Sequence, residues 1–205
     1  MLEQPVINIW GKKVALGPVR KEQLPLFHAW ENDFEVTRTL NIGIRPRTWE
    51  AHEEWYRQVS QNSSLEVFFT IYDRSTLQPI GHTDLNRISQ IDGRCEFGIM
   101  IGDKHYWNRG YGTEAVALML DYGFNALNLY TILLRTFSYN ERAIKVYERV
   151  GFKTIGRWRG GHRIANKSFD VIFMDCIAPE FNSLGLQRVL LDVGSRWESA
   201  PNTND

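Results

Sequence analysis

Between His105 and Phe124 the chain reads HYWNRGYGTEAVALMLDYGF: a polar loop, two glycines flanking one tyrosine, then an apolar run with helical spacing. Glycine disfavours helix, so Gly110 and Gly112 weaken the segment they open. What they supply is bare backbone. The first turn of a helix exposes unpaired N–H groups and a partial positive charge, and a phosphate can lie directly on them where no side chain intervenes. Arg109 adds a charge-assisted donor beside them. On this pattern alone an ordinary strand-to-helix turn stays open as the other reading.

Two more residues carry titratable chemistry in unusual company. In RCEFGIMI (94–101) strand alternation puts Glu96, Gly98 and Met100 on one face and Cys95, Phe97, Ile99 and Ile101 on the other. A carboxylate in an apolar strand costs free energy unless it has a partner or a task. Glu96 is therefore either a general base or the solvated end of a strand beside Arg94. Tyr147 follows Ala143 by four and Ile144 by three, on the apolar stripe of NERAIKVYERV. That pattern by itself describes a half-buried core tyrosine. Cys95 points away from the Glu96 face, which argues for a buried structural cysteine rather than a nucleophile.

The elements around these residues decide which phosphate ligand is meant. A short strand over 12–19 precedes helices over 21–33 and 48–61. Three extended segments follow, 66–73, 78–88 and 94–101, joined by short polar turns as an antiparallel meander. Then come a helix from Thr113 to Ala126, a strand over 130–137, a helix over 140–150 closed by Gly151, and two final strands. This is a mixed α/β chain, a largely antiparallel sheet of about seven strands with helices on both faces. GYGTEA matches the dinucleotide pattern G-x-G-x-x-A, so a Rossmann-type oxidoreductase is weighed. It is disfavoured: a loop separates strand from glycines, the region of the expected acidic residue has neither Asp nor Glu, and no βαβ unit precedes it. The Walker pattern is absent from the sequence as well.

Composition narrows the class. Lys plus Arg and Asp plus Glu number 24 each, so no net field recruits nucleic acid or a membrane surface. Two cysteines suit a reducing cytoplasm rather than a disulfide scaffold, and no metal site is expected. No basic segment followed by an apolar run opens the chain, and no apolar stretch reaches membrane-spanning length. A single domain over 1–179 is expected, with a C-terminal extension, 180–205, that is partly disordered apart from a short helix around LGLQRVLLDV.

YWNRGYGTEAVALMLDYGF, followed by NLYTILLRTFSYNERAIKVYERVGFKTIGRW, resembles the GNAT N-acetyltransferases, in the branch holding ribosomal-protein N-terminal and spermidine acetyltransferases. AWENDFEVTRTL is similar to that branch's first helix–turn–helix, and the likeness runs over residues 12 to 178. It implies a GNAT-like fold and acetyl-coenzyme A as cosubstrate. The implied cofactor residues are the loop Trp107, Asn108, Arg109, Gly110, Tyr111, Gly112 and Thr113, the helix-opening Asn140 and Arg142, and the strand Ile99, Met100 and Ile101. That strand is expected to splay from its neighbour for the pantetheine arm, with the Met100 N–H as oxyanion donor. Trp107 stands where the superfamily pattern often has Gln or Arg, which leaves Arg109 as the expected side-chain contact.

Acetyl transfer to an amine needs a proton removed, because an ammonium of pKa near 10 is roughly 99.9% protonated at neutral pH. The resemblance gives that task to Glu96 acting through water, and makes Tyr147 the acid beside the thioester sulfur. Glu31, Asp33 and Phe34 fall on the implied substrate loop. His82, Asp84 and Asn86 share one strand face, either a polar wall for a cation or the sheet's solvent side. GRWRGGHR (156–163) is cationic, which suits either an acidic substrate group or a solvated hairpin tip. A protein N-terminus, a polyamine, an amino sugar and another small amine all remain open as acceptor. A non-catalytic coenzyme A-binding protein is the remaining alternative, and a homodimer is a family-level expectation.

Overall fold

The structure, a computed structural model, describes residues 4–61 and 63–191. Its centre is one eight-stranded sheet: β1 (Ile9–Trp10), β2 (Val14–Gly17), β3 (Val67–Asp73), β4 (Pro79–Ser89), β5 (Arg94–Ile101), β6 (Thr131–Phe137), β7 (Lys153–Ile164) and β8 (Lys167–Ile177). The order across the sheet is β1-β2-β3-β4-β5-β6-β8-β7. Every adjacent pair is antiparallel except β5 with β6. Among the described residues that single parallel pair, joined through one helical crossover, stands alone in an antiparallel sheet and does not form the successive parallel strands of a dinucleotide-binding domain. The strand beyond the expected seven is β1, two residues long and too short to show a period in sequence.

Helices α1 (Leu24–Glu31), α2 (Phe34–Thr37) and α3 (Trp49–Val59) lie between β2 and β3 in the chain, followed later by α4 (Tyr111–Asn125), α5 (Glu141–Val150) and α6 (Leu186–Leu191). The sheet's two faces follow from the register. Leu85, Phe97, Cys95, Ile132, Leu134 and Met174 turn toward α4, whose Val116, Met119 and Leu120 complete a fully buried core. On the other face Phe27 of α1 and Trp55 of α3 pack edge-on against Phe68 and His82. Two of the helices start on a side-chain cap: Thr48 caps α3 through Ala51 N–H at 3.2 Å, and Asp33 caps α2 through Glu35 N–H at 2.9 Å. Gly151 closes α5 at φ 117°, a left-handed conformation that costs glycine little.

The parallel contact of β5 with β6 covers only Arg94, Cys95 and Glu96 against Thr131, Ile132 and Leu133. Beyond Glu96 the two strands part, while β5 keeps its antiparallel partner β4 through Ile101. The parting opens a notch in the sheet with the N-termini of α4 and α5 beside it.

Candidate active site

The notch is the floor of a cleft of about 540 Å³. Ile99, Met100 and Ile101 line it from β5, Trp107, Asn108, Gly110, Gly112 and Thr113 from the loop and start of α4, and Asn140, Arg142 and Tyr147 from α5. Residues 90 to 150 thus converge from three elements on one space. Arg109 and Tyr111 are not among its lining: Arg109 is exposed, and the Tyr111 hydroxyl turns away to donate to Asp73 at 3.1 Å. A second hollow of about 590 Å³ lies between α4 and residues 178–185; no titratable side chain lines it.

The glycines do what their chemistry allows. Gly110 is the N-cap of α4 at φ 85°, and Asn108 also adopts a left-handed φ of 60°. No side chain caps α4, so its first N–H groups stay available. A Cβ at Gly112 would meet nothing nearer than Ile101 Cγ1 at 3.6 Å, so the position is bare without being crowded. Trp107 holds the corner: its indole N–H donates to the Ile101 carbonyl at 2.7 Å, and the Arg142 guanidinium lies 4.5 Å over its ring. Free helix N–H groups, an uncrowded glycine and a notch of unpaired strand fit a pyrophosphate continued by an extended amide-bearing arm.

The strand phase corrects one expectation. Gly102 N–H bonds the Ile80 carbonyl at 2.9 Å, and antiparallel hydrogen-bonded pairs recur every second residue. Met100, two residues back and opposite His82, therefore turns its N–H to β4. The groups facing the notch belong to Ile99 and Ile101, and Ile101's carbonyl, taken by Trp107, lies on that side too.

Tyr147 is half-buried, edge-on to Phe97 and Phe152 with centroids 6.4 and 5.8 Å away. Burial pushes its phenol up to about 12. No protein group hydrogen-bonds its hydroxyl among the described residues. Glu96 has both oxygens engaged: Arg135 Nε donates to Oε1 at 2.7 Å, and Arg87 lies 3.2 Å from Oε2. Asp84, directly opposite Gly98, is more deeply placed. A Cβ on Gly98 would sit 2.5 Å from Asp84 Oδ1, so this glycine is bare to make room for a carboxylate. Burial raises the Asp84 pKa, with Asn86, whose amide donates at 2.5 Å, working against the rise.

The other expected acceptor residues scatter. Glu31, the last residue of α1, is buried 2.5 Å from Arg47, 3.2 Å from His52 and 3.6 Å from His82. Burial works to raise its pKa, and the hydrogen bond and charge of His82, with Arg47 and His52 beside it, outweigh burial and hold it low. Asp33 pairs with Lys104 at 2.7 Å, and Phe34 is exposed above a shallow hollow shared with Arg38 and Ile44. The structure does not gather Glu31, Asp33, Phe34 and Asp84 into one lining. Cys95 is buried with its thiol pushed up to about 12, an inert packing residue. Among the described residues no cluster could hold a metal ion, and no helix is long and apolar enough to cross a membrane.

A splayed β-strand pair facing a glycine-opened helix suits an acyl donor carried on an extended, pyrophosphate-bearing arm, the class that the sequence resemblance implies. The acetyltransferase (GNAT) domain family matches residues 13–153. The chain belongs to that family and is an acetyl-coenzyme A-dependent N-acetyltransferase. It is 32% identical to the spermidine N(1)-acetyltransferase of Escherichia coli K12 over 151 residues, covering 70% of this chain and 74% of the relative. It is 28% identical to an uncharacterized N-acetyltransferase p20 of Bacillus licheniformis over 177 residues, covering 85% and 98%. The fold is that of a Vibrio cholerae spermidine N-acetyltransferase crystallised with coenzyme A and spermine: TM-score 0.76, 24% identity, covering 83% of this chain and 98% of that one.

Proposed function

We propose that this enzyme acetylates a primary amine of a small cationic molecule, of the polyamine kind, by direct transfer. The observation that carries the reading is the Asp84 carboxylate lying over bare Gly98, with Glu96 on the same sheet face beside the notch. Two carboxylates there offer an ammonium both attraction and a place to leave its proton. The similarity to a spermidine acetyltransferase supports the same class of acceptor.

The proposed division of labour follows from the environments. Acetyl-coenzyme A supplies an activated thioester, with its pyrophosphate on the N–H groups of residues 110–113 and its arm along β5. Ile99 and Ile101 N–H groups stabilise the negative charge that grows on the carbonyl oxygen. Asp84, whose raised pKa makes it the better acceptor, takes the amine proton through water, while Glu96, anchored by arginines, contributes fixed negative charge. Tyr147 keeps its proton to about pH 12, well above a thiol's pKa of about 8.5. It therefore hydrogen-bonds the departing sulfur, and the proton that finally neutralises the thiolate derives from the amine.

Thiol release measured across polyamines, amino sugars and peptides with free N-termini tests the acceptor. Turnover with spermidine or a shorter diamine, and little with neutral peptides, is expected. Turnover confined to peptides or amino sugars would overturn the polyamine reading while leaving the transferase intact.

A further inference from the structure

The cleft's phosphate-facing loop is fastened by a part of the chain almost a hundred residues away. The turn between β1 and β2, Gly11–Lys13, sits on the first turn of α4. Glu114 accepts three backbone N–H groups from it, Lys12 and Lys13 at 2.6 and 2.7 Å and Val14 at 3.0 Å. Such an approach needs a residue without a side chain: a Cβ at Gly11 would come within 2.9 Å of Leu118 and 3.0 Å of Glu114. From behind, Arg74 locks the same turn, its N–H donating to the Lys13 carbonyl at 2.9 Å and its guanidinium to the Gly11 carbonyl. The turn is rigid, and Lys13 projects from it.

Lys13 Nζ donates to the Arg109 carbonyl at 2.8 Å, between the two left-handed residues Asn108 and Gly110. It also stands 5.9 Å over the Tyr111 ring and 3.4 Å from where a Gly110 Cβ would be. Tyr111 is pinned in turn by its bond to Asp73. A trans peptide points its C=O and N–H in opposite directions. Fixing the Arg109 carbonyl on Lys13 therefore fixes the Gly110 N–H, which points the opposite way in the same plane.

We infer that Lys13, outside the cleft, is a positioning residue for acetyl-coenzyme A: it holds the 109–110 peptide plane for the phosphates and adds positive charge at the mouth of α4. This rests on the loop Trp107–Gly112 being the phosphate site. The side chain is exposed, and nothing in the core depends on it. Its charge matters because a phosphate-facing helix end gains from every cation held near it. The carbonyl contact matters because a left-handed Asn is strained and needs an external hold.

The test uses the full chain and coenzyme A itself, titrated calorimetrically, with thermal melts alongside. Lys13→Met should weaken coenzyme A binding about 5- to 10-fold and raise the acetyl-coenzyme A KM to match. Its kcat and ligand-free Tm should stay near wild type. Lys13→Arg, which keeps charge and donor, should recover most of the affinity, and the wild-type advantage over Lys13→Met should shrink in high salt. Unchanged affinity in Lys13→Met, with wild type binding normally, would overturn the role of Lys13. So would a fall in Tm with no change in affinity, which marks a structural residue. Failure of wild type to bind coenzyme A would instead remove the loop assignment beneath it.

Discussion

Tyr147 separates what spacing can say from what position adds. Its neighbours Ala143 and Ile144 describe a core tyrosine, and the ring does pack on Phe97 and Phe152, yet the residue also lines the cleft. Removing only the hydroxyl should isolate the second role. Tyr147→Phe is expected to lower kcat about 10²-fold while coenzyme A affinity and Tm change little; near-normal kcat would leave Tyr147 as packing alone. Because burial keeps the phenol protonated to about pH 12, no falling limb from this residue should appear in the wild-type rate profile between pH 7 and 10. The carboxylates were legible to different depths. Glu96 stands out in sequence as a charge in an apolar strand. Asp84 was legible only as part of a polar strand face for a cation, because a proton-accepting role depends on a register that pairs it with Gly98 and on burial that raises its pKa. Met100 shows the same limit from the other side. Which way a strand N–H points depends on the phase of pairing with β4, and sequence alternation fixes side chains only. If Asp84 takes the proton, Asp84→Asn should cut kcat/KM more than Glu96→Gln at pH 7, with partial recovery at higher pH as free amine accumulates. The reverse ranking would return the task to Glu96.

At the scale of elements, the glycine loop and α5 were readable because their signals are local: two glycines before an apolar period, and a helix opened by Asn140 and closed by Gly151. The notch between β5 and β6 was expected only through family resemblance, since no local pattern announces that a parallel pair stops after three residues. Helix α2, four residues long, was likewise invisible as a period, although its cap Asp33 is an ordinary start signal. The loop's purpose can be tested without disturbing the fold. Gly110 is a poor target, because its φ of 85° would strain any other residue. Gly112 is better: it is helical, and a Cβ there meets only an ordinary contact with Ile101. Gly112→Val should leave ligand-free Tm within a few degrees and fill the approach to the α4 N–H groups. Acetyl-coenzyme A at about 100 times its dissociation constant should stabilise wild type by roughly 2.7 kcal/mol and the variant far less. Equal thermal shifts would remove the phosphates from this loop.

Over the whole molecule, charges are balanced and most buried ones are matched in place. Asp121, inside α4, accepts from Ser183 Oγ at 2.7 Å and Leu186 N–H at 3.1 Å, so the described part of the C-terminal extension is seated on the same helix that opens the cleft. The disorder expected at the end of the 180–205 extension, over SAPNTND (199–205), falls outside the described residues. Two buried carboxylates on the α1–α3 side of the sheet, Glu31 and Asp84, pull stability in opposite directions with pH. Glu31, held low by His82, Arg47 and His52 against the pull of burial, contributes stability above the usual carboxylate range, lost as pH falls through its lowered folded value. Asp84 has the opposite sign. Burial raises its folded pKa, so between about pH 4 and that raised value the unfolded chain binds fewer protons than the native one, and stability falls as pH rises. Above it the cost is constant. Asp84→Asn keeps the shape and an acceptor for Asn86 while abolishing the charge, so it should melt at a higher temperature than wild type at pH 7. The gap should close as pH falls through about 4, below which the Asp84 carboxyl is protonated in folded and unfolded chains alike. Paired thermal melts across that range, at constant ionic strength, check both sign and window. A variant that gains stability while losing turnover is the signature of a carboxylate kept for proton transfer at the expense of the fold; a variant less stable than wild type at pH 7 would show that Asp84 is instead a satisfied structural group.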